Sequence, residues 1–171
     1  MKSRGVSIKI FLNTGNRKGI VTASIANWTG IAIRIPRHLF EKLKKQKELH
    51  RPGVYFLLGQ DIDNPTTQCI YIGEANNLME RIIQHLRKSD KTFTTDIICF
   101  YSQDDNLTIS HTKYLELKMI EMLSKLTDLR LTNISRGTRV SISQATKAEM
   151  DAYFDNMKII LPLLRHFGVE N

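Results

Sequence analysis

The feature that most constrains this chain is a pair of apolar runs followed at once by a capped helix. Gly53-Val54-Tyr55-Phe56-Leu57-Leu58 and Gln68-Cys69-Ile70-Tyr71-Ile72 are rich in strand-forming residues, and Asp61 to Thr67, with Pro65 inside it, is a turn between them. The spacing predicts an antiparallel hairpin. Asn77 then has the form of an N-cap with Glu80 three residues on, and Leu78, Met79, Ile82, Ile83 and Leu86 recur as an apolar stripe at helical spacing. Arg81 and His85, one turn apart, are expected off that stripe.

The flanks read more simply. Residues 7 to 12 and 18 to 24 alternate around Asn13-Thr14-Gly15-Asn16, which predicts a hairpin; Ala32 to Ile35 predicts a strand that stops at Pro36, with a short helix over His38 to Leu43. Asp96 to Tyr101 predicts another strand. Thr108 is expected to cap a helix with Leu115, Met119, Met122, Leu123 and Leu126 inward, and Thr146 with Glu149 to cap a last helix carrying Met150, Tyr153, Phe154, Met157, Leu161 and Leu164. The expected class is α+β: a small, mostly antiparallel sheet with helices packed around it. The expected organisation is an N-terminal β-hairpin and short-helix extension over residues 1–50, a core over 51–134, and a C-terminal helical extension over 135–171 packed on the same domain.

At 171 residues the chain can bury a sufficient core without a metal or disulfide. Cys69 and Cys99 each stand within an apolar run, the setting of inert buried thiols, and point to a reducing compartment. The basic N-terminus lacks the apolar stretch of a secretory signal, and no run approaches bilayer length, so a soluble cytoplasmic protein with no membrane partner is expected. The formal charge of +8 suits a polyanionic partner. Its basic residues gather in two clusters, Arg34, Arg37, Lys42, Lys44, Lys45, Lys47 and Arg51, and Arg81, Arg87, Lys88 and Lys91; each reads equally as a solvated face or a phosphate-binding face.

Gly53-Val54-Tyr55 and Tyr71-Ile72-Gly73, in that order and on paired strands, resemble the two short motifs that define the GIY-YIG nuclease superfamily. Arg81 and His85 stand where that family's helix presents an arginine and a tyrosine or histidine, and Glu116 stands where its single metal-binding carboxylate lies. The resemblance spans roughly residues 51 to 133, and agreement of order, spacing and context at five positions makes it specific. It implies a metal-dependent endonuclease that hydrolyses phosphodiester bonds, with nucleic acid as partner, DNA ahead of RNA, in a repair, restriction or mobile-element setting.

The chemistry of the residue types agrees. Phosphodiester hydrolysis needs a deprotonated water, a cation over the phosphate oxygens, and relief of charge on the leaving oxygen. Mg²⁺ or Mn²⁺ keeps several waters and needs only one or two carboxylates, so Glu116 alone is an adequate protein ligand. A phenol with an ordinary pKa of about 10 is a poor base unless a cation lowers it; the resemblance makes Tyr71 the base or water-positioning group and Tyr55 its hydrogen-bonding neighbour, without ranking them. Arg81 offers a planar fork to phosphate oxygens, and His85 can orient a nucleophile or move a proton. Gly73, Glu74, Asn133, Arg87 and Lys88 are the expected substrate-binding residues. Glu74 departs from the lysine common at that place in excision-repair members and brings negative charge to the phosphate path; Asn133 is the candidate for the family's site-steadying asparagine.

Two other readings compete. A catalytically inactive module that binds nucleic acid or a protein on the same fold is favoured by Glu74. A metal-free hydrolase using His85 or His111 lacks a serine or cysteine nucleophile in a recognisable elbow. His111 reads as a packed histidine or as a second-rank partner of Glu116. Oligomeric state is not legible.

Overall fold

A strand apolar on both faces needs cover on both faces and partners on both edges, and Gly53–Gln60 (β4) has seven of its eight residues buried. In the computed structural model, which describes residues 4–88 and 91–167, β4 lies between Gln68–Ala75 (β5) and Thr94–Ser102 (β6), antiparallel to both. From β6 the sheet continues through Gly30–Pro36 (β3) and Val21–Ile25 (β2) to Ile8–Leu12 (β1), each antiparallel to the last. On the far side Leu129–Leu131 (β7) adds a short parallel strand to β5. The order in this seven-stranded sheet is β1-β2-β3-β6-β4-β5-β7. The N-terminal hairpin is therefore sheet, joined through the wholly buried β3, and the class is α+β as expected.

Strand alternation sends successive side chains to opposite faces, and two apolar cores follow from it. Tyr55, Leu57, Ile97 and Cys99 meet Arg37–Phe40 (α1) and Leu78–Arg87 (α2), whereas Val54, Phe56, Ile70, Ile72 and Phe100 meet Ile109–Leu123 (α3) and Gln144–His166 (α4). Both cysteines are free and buried. Asn77 caps α2 through the Glu80 N–H at 3.2 Å, and Thr108 caps α3. Among the described residues no helix is long and apolar enough to cross a membrane.

Several local expectations are corrected. α3 ends at Leu123, so Leu126 lies beyond it and is exposed, and Met122 is only half-buried. The cap of α4 is Ser143, whose hydroxyl accepts from the Thr146 N–H at 3.1 Å; Thr146 is thus inside the helix. His111 neither packs in the core nor faces Glu116, since its Nδ1 closes a capping box with Thr108. Three arginines of the first basic cluster are internal stitches. Arg34 is buried against Asp96, Arg37 donates to the Thr94 and Leu86 carbonyls at 3.2 and 3.1 Å, and Arg51 donates to the Ser102 carbonyl at 2.6 Å.

Candidate active site

The site grows from an uneven sheet edge. β7 covers only Gln68 to Ile70 of β5. Thr132 then donates its N–H to the Ile70 carbonyl at 2.9 Å, and the Asn133 amide accepts from the Ile72 N–H at 2.9 Å and donates to the Ile72 carbonyl at 2.7 Å. Among the described residues Gly73 to Ala75 thus keep β4 on one side and no strand on the other. A cleft of about 440 Å³ opens there. At an open edge side chains from both faces reach the same space: Tyr71 and Gly73 from the α2 side, Glu74 from the α3 side.

On the α2 side Tyr55 is 1% exposed, and its hydroxyl shares a 2.8 Å hydrogen bond with His85 Nε2. Burial, and next the neighbouring Tyr71, push the Tyr55 phenol far above the ordinary tyrosine range, with Arg81 acting the other way. Tyr55 is therefore a neutral hydrogen-bonding group. Tyr71 is half-buried, its ring centre 6.2 Å from Tyr55 and 5.2 Å from His85, with Lys91 Nζ 4.6 Å above it. Arg81 is exposed at the cleft and donates to Gln84 Oε1 at 3.3 Å. His85, expected off the apolar stripe, is instead 7% exposed and lies within it, because it follows Leu78 by seven residues and so returns to the same side of α2.

Gly73 has no conformational need of its own, for it sits in regular strand opposite Tyr55. A Cβ there would fall 2.3 Å from Tyr55 Cζ and Oη. The tyrosine ring fills the place of the missing side chain, so Gly73 sets where the Tyr55 hydroxyl points.

On the α3 side Glu116 is half-buried, and burial followed by the charge of Glu74 raises its carboxyl to about 7, although the Glu74 backbone amide, Lys113 and Arg81 oppose the shift. Glu74 also accepts from the Thr112 hydroxyl at 2.9 Å. Two carboxylates thus meet where the sequence suggested one. Strand parity was the available signal: Glu74 shares a face with Ile70 and Ile72, the face that α3 covers.

Tyr55, Tyr71, Arg81, His85 and Glu116 all line this one cleft, as do Gly73, Glu74, Lys88 and Asn133. The Asn133 amide, however, is engaged by Ile72, which makes it a brace for the β5 edge. Arg87 is the exception: its guanidinium faces Glu41 at 3.5 Å, and it does not line the cleft. Lys91, Thr132, Ile134, Ser135, Gly137 and Thr138 complete the lining.

Among the described residues no three histidine, cysteine or acidic side chains group as a metal site. The donor set is the carboxylate pair Glu74 and Glu116, hard oxygen ligands whose mutual repulsion a divalent cation would relieve, and it fits Mg²⁺ or Mn²⁺ retaining most of its waters. Comparison of the chain with protein-family models, curated proteins and solved structures gives no match.

Proposed function

We propose that this protein is a divalent-metal-dependent endonuclease that hydrolyses phosphodiester bonds, with DNA as its substrate. The observation that carries the reading is that five side chains of the required chemistry, drawn from β4, β5, α2 and α3, line one cleft at an open sheet edge. A divalent cation held by Glu116 and Glu74 would supply positive charge to the phosphate and to the attacking water.

The protein groups divide the remaining work. Tyr71, the more accessible phenol, receives the proton of the attacking water, with Lys91 and Arg81 as nearby cations that favour the phenolate. Tyr55, held by His85, fixes the aromatic wall against which Tyr71 stands. Arg81 places its fork on the non-bridging oxygens and strengthens that contact as charge gathers in the transition state. Lys88 adds a phosphate contact at the mouth.

The test is cleavage of supercoiled plasmid, branched DNA and single-stranded RNA with Mg²⁺ or Mn²⁺ by the parent and by Glu116→Gln. Cutting that falls at least about 10²-fold in the variant supports the reading. Binding without cutting in every condition favours the inactive nucleic-acid module instead, a reading to which Glu74 lends weight by setting a second negative charge beside the phosphate path.

A further inference from the structure

A second groove, of about 760 Å³, adjoins the cleft and shares with it Asn133, Ile134, Ser135 and Gly137. Leu117 and Ile120 of α3 form its floor. The loop between the two hollows turns at Gly137, whose φ of +85° is left-handed and whose N–H donates to the Ser135 hydroxyl at 3.2 Å; a Cβ added there would meet those two side chains at 3.4 to 3.5 Å. On this loop Ile134 is 102% exposed, the most exposed of the large apolar side chains among the described residues. Lys125, Arg136 and Arg139 line the groove against a single acid, Glu121, and among the described residues neither arginine makes an ion pair.

We propose that the groove continues the substrate path: a DNA strand leaving the cleft crosses this loop with Ile134 packed against an unstacked base and Arg136 and Arg139 on its phosphates. The inference rests on the nuclease reading of the cleft and names its substrate class, DNA with a single-stranded segment beside the cut. An intact stacked duplex offers phosphates to the arginines but no base face to Ile134. An aliphatic side chain held out of its own core, between two hollows and flanked by unpaired arginines, matches a strand whose bases are already exposed. The charge excess of the groove matches its backbone.

Anisotropy of labelled DNA on the full-length Glu116→Gln protein in EDTA reads the groove without cutting. A forked duplex should bind more tightly than a blunt one. Adding Ile134→Ala should weaken fork binding about fivefold or more and leave the blunt duplex unchanged, while Ile134→Trp should tighten the fork. Arg136→Ala with Arg139→Ala should flatten the dependence of log affinity on log salt by about 1.4 on single-stranded DNA. Equal losses on fork and blunt duplex, or an unchanged salt slope, would overturn the proposal. A parent protein that cuts, and that still cuts as before once Ile134→Ala or the two arginine changes are made in it with Glu116 intact, while the same changes leave binding by the Glu116→Gln protein as before, keeps the nuclease reading and removes the groove. Selective loss of fork binding in a protein that never cuts keeps the groove and removes the nuclease.

Discussion

Two regions of the sheet handle charge in opposite ways. Between β3 and β6, Arg34 is buried against Asp96, and Arg37 and Arg51 nearby end on main-chain carbonyls. At the β5 edge, Glu74 and Glu116 stand together, and Arg81 and Lys88 face an open cleft. Folding alone favours the first arrangement and is penalised by the second, because crowding like charges out of water costs free energy. A count of +8 hides that difference. Charges consumed by the fold say nothing of a partner, whereas charges held against the fold's interest mark a site.

The contrast predicts opposite outcomes for two arginines. Arg81→Ala should lower the cleavage rate about 10²- to 10³-fold, about 3–4 kcal/mol of barrier, and move the melting temperature little, since Arg81 is exposed, with its hydrogen bonds going to Gln84 and the Tyr55 hydroxyl. Single-turnover kinetics beside thermal melts check both halves; a retained rate would return Arg81 to the solvated charges. Arg34→Ala should do the reverse. It strands Asp96 beside a buried void and should cost about 3 kcal/mol in urea unfolding, with the rate per folded molecule little changed.

Gly73→Ala probes the frame between these regions. The added methyl overlaps the Tyr55 ring, which must move away from His85. A loss of about 2 kcal/mol is expected, together with a fall in cleavage beyond what partial unfolding explains. An alanine variant that matches the parent in both melt and rate would show that the Tyr55–His85 contact does not define the cleft.

These residues also show where sequence reading succeeds. The β4–β5 hairpin was legible because apolar runs and a turn are local signals, and Asn77 and Thr108 announced their helices by hydrogen bonds spanning three residues. The expected contributors to the cleft were legible as residue types in a resembling order. His85 was misplaced because an apolar stripe was traced through apolar residues only, although its spacing from Leu78 already returned it to the stripe. Leu126 continued the periodicity of α3 past a helix end that no glycine or proline announces. The Arg34–Asp96 pair spans 62 positions, and Arg87 chose Glu41 over the cleft; neither pairing has a local signature. The 134–139 loop has no periodicity to read, so its exposed isoleucine emerges only from the structure.

The smallest expected effect tests the carboxylate pair directly. With the Glu116 carboxyl raised from an ordinary value of 4.5 to about 7, the folded protein keeps a proton that the unfolded chain releases within that window. Stability therefore falls as pH rises from about 4.5 to 7, is unaffected by this group below the window, and carries the full penalty above it, about 1 kcal/mol after allowance for partial exposure. Glu116→Gln removes the penalty. In EDTA the variant should melt above the parent at pH 8 and level with it at pH 4. Added Mn²⁺ should reverse the order at pH 8, because binding to the ionised pair stabilises only the folded parent, and the gain should shrink as the carboxylates protonate. Glu74→Gln should recover part of the EDTA effect, since its charge is the second cause of the shift after burial. Were parent and variant to melt together at every pH, with and without metal, Glu74 and Glu116 would be ordinary solvated carboxylates. The contrast with Arg34 and Asp96 would then concern burial alone.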